Sequence, residues 1–121
     1  MKPEVLYFAA QAASIAAWWL LLMIYPSSRQ WFFPSTALEP AAIALALPDL
    51  CLLIGGSAIV SRLAARSHPL TRSAAWIVVG ATGYAALYTF AWAIVTPMPW
   101  LSPALMAVSA VGSVFYARTI V

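Results

Sequence analysis

The sequence predicts an all-α integral membrane protein, a four-helix bundle, from three observations: a shortage of charge, four long apolar segments and an uneven distribution of bases. Of the 121 residues, 64% are hydrophobic and only 7% are charged, whereas soluble domains carry about 25% charged residues. Three acids and six bases cannot coat a soluble globule of this length. No segment alternates apolar and polar residues as a membrane-spanning strand does. The sequence therefore predicts a single membrane domain over residues 1–121.

The four apolar segments are long enough, or nearly so, to cross a bilayer as helices. A span needs about 20 apolar residues, because an α-helix rises about 1.5 Å per residue and the hydrocarbon core is about 30 Å thick. The predicted helices cover residues 5–25, 40–63, 73–95 and 101–116. An outer interfacial loop, 26–39, follows the first helix, and a basic loop, 64–72, follows the second. The proline-rich "VTPMPWLSP" predicts a stiff turn before the fourth helix.

The first helix is expected to be retained rather than cleaved as a signal peptide. The apolar region of a signal peptide is usually about 7–15 residues long, and this segment is longer. Cleavage among its alanines would also leave the apolar "WWLLLMIY" close to the new terminus.

The positions of the bases predict the orientation of the bundle. Cytoplasmic loops carry an excess of Lys and Arg. Five of the six bases fall near the termini or the second loop, at Lys2, Arg62, Arg66, Arg72 and Arg118. Both termini are therefore expected in the cytoplasm, with Arg29 alone on the outer side. The short loops favour the inner membrane of a bacterial cell.

Pro48 and Asp49 interrupt the second apolar segment. Asp49 follows Pro40 by nine residues, or about 13 Å of helix. An Asp at mid-membrane costs about 2.5–3.5 kcal/mol to insert. Pro48 has no amide hydrogen, so the carbonyl of Ala44 loses its usual partner and the helix is expected to kink. Such a freed carbonyl is tolerated only where protein or water satisfies it. The pair therefore predicts a small polar site inside the bundle.

Matching depths across the helices adds four neighbours to this predicted ligand-binding or proton-binding site. Tyr84 and Tyr88 share a helix face, Ser109 lies near the same level, and Gln11 lies nearer the cytoplasmic end. No other acid or base falls at this depth, so the partner of Asp49 is expected to be a ligand, an ion or another subunit. Intramembrane ionisable residues are functional candidates by default. The alternative is a protonated Asp49 that hydrogen-bonds a tyrosine and locks the helices together.

Trp31 and Glu39 are expected at the membrane–water interface. Trp31 begins the aromatic run of "RQWFFPS", and such residues favour the interface; the alternative is that this loop forms a lid over an opening between helices. Glu39 falls at the start of the second helix, where a carboxylate interacts favourably with the helix dipole. Together with Thr36 it also matches a capping box.

Small residues recur along the predicted helices, and they predict close helix packing or an oligomer interface. They include Gly56, Gly80, Gly83 and Gly112. Gly56 follows Asp49 by seven residues, which in an α-helix places both on one face.

The sequence predicts no metal site, no cofactor and no nucleic-acid partner. Its one cysteine, Cys51, and its one histidine, His68, lie in different segments, so no cluster of metal ligands forms. The same separation makes a Ser-His-Asp triad improbable, since His68 lies far from Asp49. The bases form no cluster with interleaved aromatics of the kind that binds phosphates.

Three functions fit these features. The leading hypothesis is a non-enzymatic binding module, or a subunit of a larger membrane assembly, with its polar site at Pro48 and Asp49. The second is a proton- or cation-coupled transporter that works as an oligomer and uses Asp49. The third is a membrane enzyme that acts on a lipid or isoprenoid, with Asp49 as general acid. The expected partners are the lipid bilayer, a small hydrophobic or cationic ligand, and a further copy or larger complex.

Overall fold

Four helices dominate the structure, a computed structural model that describes residues 1–35 and 39–121, without the side chains of 39–42. Over this part of the chain the structure is helical and contains no strand. Helix α1 spans Pro3–Ile24, α3 spans Thr71–Val95 and α4 spans Leu101–Thr119. Helix α2 has three consecutive sections, Glu39–Pro48, Asp49–Gly55 and Gly56–Ala65. All four helices are long and apolar enough to cross a membrane, which confirms the all-helical prediction.

The four helices alternate in direction, so both chain termini lie at one end of the bundle, called here the terminal end. An apolar cluster fills that end, with contributions from all four helices: Phe8, Val60, Ala75, Val78 and Ala117, joined by Ile120. A second cluster lies at the opposite, distal end and contains Leu22, Phe32 and Phe33, packed against Trp18, Trp19, Leu45 and Trp92. The two clusters leave a middle layer between them, and this layer contains the polar side chains.

The middle section of α2, Asp49–Gly55, is a π-helix that begins directly after Pro48. A π-helix forms i→i+5 hydrogen bonds, is rare, and occurs frequently at functional sites. Proline offers a local reason, because it cannot donate the i→i−4 hydrogen bond that the α-helix requires. The sequence predicted that Asp49 and Gly56, seven residues apart, share one helix face. That prediction assumed α-helical spacing, which the π-helical section between them does not have. A Cβ at Gly56 would meet Val78 of α3, whereas Asp49 binds Trp19 of α1.

A 3₁₀ helix, Pro26–Trp31, occupies the first half of the segment predicted as an outer loop. The Ser28 hydroxyl donates to the carbonyl of Tyr25 over 2.7 Å, and Arg29 Nε donates to the carbonyl of Leu22 over 3.1 Å. These bonds hold the chain against the end of α1, and the Ser102 hydroxyl of α4 donates to the carbonyl of Phe32 over 2.7 Å. As a result Phe32 is buried in the bundle rather than placed at its surface.

The glycines of α3 and α4 have different surroundings. A Cβ at Gly112 would overlap the Tyr7 side chain, lying 2.7 Å from Cε2 and 2.8 Å from Cζ. A Cβ at Gly80 or Gly83 would meet nothing within 4 Å. Gly112 is therefore required for close helix packing, as its small size predicts, whereas Gly80 and Gly83 border open space in the single chain.

Candidate ligand-binding site

A cavity of about 790 Å³ lies in the middle layer, bounded by all four helices. Aromatic and aliphatic side chains form most of its wall, and Phe32 and Phe33 of the distal cluster line one end. The polar residues in the wall are few: Gln11, Ser14, Asp49, Thr89, Ser102 and Ser109, together with three tyrosines. Small-molecule sites have volumes of about 300–1,000 Å³ and combine an apolar wall with a few polar groups. This cavity has both properties.

The residues that the sequence grouped by depth all line this cavity. They are Gln11, Asp49, Tyr84, Tyr88 and Ser109, and Pro48 lies beside them in the wall. The structure therefore brings them together, and their role in binding a ligand or a proton stays a prediction.

Neither of the two predicted interfacial residues belongs to the described part of the cavity wall. Trp31 ends the 3₁₀ helix with 45% of its surface exposed, and its place at a membrane interface stays a prediction. The side chain of Glu39, and the capping box that it was expected to form with Thr36, lie outside the described residues.

Gln11 lies at the centre of a buried hydrogen-bond network that joins three helices. Its Oε1 accepts from the Tyr7 hydroxyl over 2.7 Å, from the Ser109 hydroxyl over 2.9 Å and from the Ser113 hydroxyl over 3.0 Å. Its Nε2 donates to the Ser57 hydroxyl over 2.9 Å. Gln11 is only 7% exposed, and these partners use all of the acceptor capacity of its Oε1 and one of the two N–H donors of its Nε2.

This network explains why α1, α2 and α4 hold a fixed register beneath the cavity. Satisfied buried polar networks rigidify a core and specify its arrangement. Tyr7 strengthens the link to α4, because its hydroxyl also lies 2.8 Å from the carbonyl of Ser109 and its ring stacks on Tyr116 with centroids 4.5 Å apart. Gln11 therefore ties three helices together, and its part in binding a ligand stays a prediction.

Asp49 has a different environment. Its Oδ2 accepts a hydrogen bond from Trp19 Nε1 over 3.0 Å, and this contact connects the π-helical section of α2 to α1. One alternative stated from the sequence was a hydrogen bond between Asp49 and a tyrosine hydroxyl. Among the described residues, the side chain that bonds Asp49 is the indole of Trp19 instead. A carboxylate can accept about four hydrogen bonds, so the Trp19 contact occupies only part of its capacity.

The neighbouring indole, that of Trp18, is partly buried, and its buried Nε1 makes no hydrogen bond to a described residue. The ring packs edge-on against Trp19 at 5.0 Å and against Phe32 at 5.4 Å. Trp18 thus contributes packing to the wall, whereas Trp19 contributes packing and a hydrogen bond.

Tyr84 and Tyr88 form part of an aromatic row along one face of α3. Their rings are stacked with centroids 6.3 Å apart, and Tyr88 lies 5.8 Å from Trp92. Trp92 in turn lies 6.1 Å from Phe33. The row continues from the side of the bundle, where Tyr84 is 73% exposed, to the distal cluster.

Four residues of the middle layer were not predicted from the sequence: Tyr7, Trp19, Ser57 and Ser113. Two signals were available, since Tyr7 and Gln11 share a face of α1, and Ser109 and Ser113 share a face of α4, each pair at a spacing of four. Trp19 offered no such signal, because a membrane tryptophan is expected first as an interfacial anchor.

Comparisons with protein-family models, with curated proteins and with solved structures find no match. The described residues also contain no group of three His, Cys, Asp or Glu placed to hold a metal ion.

Proposed function

We propose that this protein is a non-enzymatic membrane protein that binds a small, largely apolar molecule in the cavity between its four helices. The observation that carries the proposal is the cavity itself, about 790 Å³ of space with a mainly apolar wall and one carboxylate, that of Asp49. Its volume and composition match those of small-molecule sites. The helices lie across a membrane with both termini on the cytoplasmic side, in keeping with the bases near the termini and the second loop.

Packing energetics support occupation of this space. Protein interiors are close-packed, and side chains that line an unfilled space lose the dispersion contacts that neighbouring atoms would provide. Collapse is opposed here, because the Gln11 network fixes three helices on one side and the Ser102–Phe32 hydrogen bond holds the distal segment on the other. A ligand that fills the cavity would recover these contacts.

The chemical content of the wall favours binding over catalysis. General acid–base catalysis uses groups that exchange protons with the substrate, most often His and otherwise Glu, Asp, Lys, Tyr or Cys. Among the described residues that line the cavity, Asp49 is the one carboxylic acid, three are tyrosines, and His, Cys and Lys are absent. Its neighbour Trp19 is an indole, which donates a hydrogen bond but does not titrate.

Two glycines of α3 provide a matched test. Gly80 lines the cavity, Gly83 does not, and a Cβ at either position meets nothing within 4 Å. Gly80→Leu therefore places a side chain in the cavity, and Gly83→Leu makes the same change beside it. The measurement is native mass spectrometry of each protein released from its own lipids. We expect a bound small molecule on the wild type and on Gly83→Leu, with at least severalfold lower occupancy on Gly80→Leu.

Two results would count against this function. The first is a wild-type protein that carries no small molecule and acquires none from a panel of apolar compounds. The second is a bound molecule whose occupancy is equal in the two variants, because such a molecule occupies some other place on the protein.

A further inference from the structure

The chemical class of the ligand can be inferred from the hydrogen-bond donors and acceptors of the cavity wall that have no partner among the described residues of the protein. Three hydroxyl donors point at Gln11 Oε1, and its amide nitrogen is bonded to Ser57. Asp49 accepts from Trp19 alone among the described residues. The available acceptor capacity in the wall is therefore at Asp49, whereas Gln11 Oε1 is fully used; the remaining N–H of Gln11 and the N–H of Trp18 are donors.

The charge balance of the cavity indicates which group fits that acceptor. None of the described lining residues is Lys, Arg or His, so the wall offers no positive charge beside the carboxylate. Asp49 is partly buried, and a carboxylate removed from water is costly unless a cation or several donors compensate it. An anionic ligand would add to this cost, whereas a cationic ligand would remove it.

Aromatic side chains favour an organic cation in particular. Eight aromatic residues line the cavity: Tyr7, Trp18, Trp19, Phe32, Phe33, Tyr84, Tyr88 and Trp92. Aromatic faces attract ammonium groups within about 6 Å of the ring centre, and groups of such rings recognise quaternary ammonium ligands. A metal cation fits poorly, because hard cations take six or more oxygen ligands and Trp19 presents an N–H donor beside Asp49.

We propose that the ligand is an organic cation, an ammonium group on an apolar body, whose nitrogen lies against Asp49 and whose body fills the aromatic part of the cavity. This inference rests on the proposed function, since it names the class of molecule that the cavity holds. It assigns the carboxylate to charge compensation and the α3 aromatic row to contact with the apolar body.

A pair of probes that differ only in charge tests the inference. The first probe is 4-phenylbutyl-trimethylammonium, and the second is its neutral isostere, in which carbon replaces nitrogen. Both are titrated calorimetrically into the protein in lipid nanodiscs, empty nanodiscs give the lipid partitioning of each probe, and the dissociation constants are expressed as mole fractions of probe in the lipid. We expect the ammonium probe to bind the wild type about tenfold or more tighter than the isostere. Asp49→Asn should bring the two dissociation constants together, and Asp49→Glu should retain part of the preference.

Each outcome separates the ligand class from the proposed function. Equal binding of both probes to the wild type would overturn the cationic class and leave an apolar ligand in place. A charge preference that survives Asp49→Asn would overturn the assignment to Asp49. Binding of neither probe would overturn the class and count against the cavity as a binding site. The ratio of the two constants for one variant is compared, so a general loss of stability in Asp49→Asn does not imitate the expected result.

Discussion

Gly112→Ala is expected to destabilise the bundle by displacing Tyr7. The new Cβ would lie 2.7 Å from Tyr7 Cε2 and 2.8 Å from Cζ, well inside the optimum of about 3.5–4.0 Å for carbon atoms. The ring is held in place, because it stacks on Tyr116 and its hydroxyl lies 2.8 Å from the carbonyl of Ser109 on α4. Relief of the overlap therefore requires that Tyr7 leave the network or that α1 and α4 separate.

The size of the effect is the sum of three contributions. Adding a methyl group to a well-packed core costs about 1–3 kcal/mol, and a lost interhelical hydrogen bond in a membrane protein costs about 0.6 kcal/mol on average. Alanine is a better helix former than glycine by about 0.8–1.0 kcal/mol, which offsets part of the loss. We therefore expect the free energy of unfolding to fall by about 1–3 kcal/mol.

The assay is reversible unfolding in mixed micelles, followed by tryptophan fluorescence. Gly83→Ala is the matched control, because its Cβ meets nothing within 4 Å, and it is expected to be neutral or to stabilise by up to about 1 kcal/mol. In a Tyr7→Ala background, Gly112→Ala should cost nothing. An equal cost in both backgrounds would refute the assignment of the effect to Tyr7.

Two further pairs of substitutions test the hydrogen bonds of the middle layer by the same unfolding assay. Gln11→Leu should cost about 1–2 kcal/mol, because it removes the acceptor of three hydroxyls, whereas Gln30→Leu, at an exposed residue, should cost little; similar losses would contradict this role of Gln11. Trp19→Phe removes the N–H that binds Asp49, and Trp18→Phe removes one without a partner among the described residues. Trp19→Phe should therefore destabilise more, and the reverse order would contradict the hydrogen-bond assignment.

The helices were predictable from the sequence because their cause is simple. Few charges and long apolar segments leave helices as the structures whose backbone hydrogen bonds are satisfied in lipid. The sequence also placed Asp49 and Ser109 at a similar depth, with Gln11 nearer the cytoplasmic end, and all three line one cavity, because residues at similar depth on antiparallel helices approach one another. Which of them retain acceptor capacity was not predictable, since that depends on side-chain partners such as Ser57 and Ser113.

The π-helical section of α2 could not be predicted from hydrophobic periodicity. The sequence marks Pro48 as a place where the α-helical pattern fails, but a kink, a break and a change to i→i+5 bonding are all responses to a missing amide hydrogen. The section from Asp49 to Gly55 turns the side chains that follow it to new directions. The contact between Asp49 and Trp19 could therefore not be predicted from the sequence and is seen only in the structure.

The two apolar clusters at the ends of the bundle affect how a ligand would reach the cavity. Phe32 and Phe33 line the distal end, and the terminal cluster contains Phe8 and Val60, each fully buried. The exposed part of the wall lies along the side, where Tyr84 is 73% exposed. In a bilayer this side would face lipid, so the proposed ligand would exchange with the membrane phase rather than with water. Its occupancy then follows its mole fraction in the lipid, and added lipid alone lowers the apparent affinity of a strongly partitioning compound.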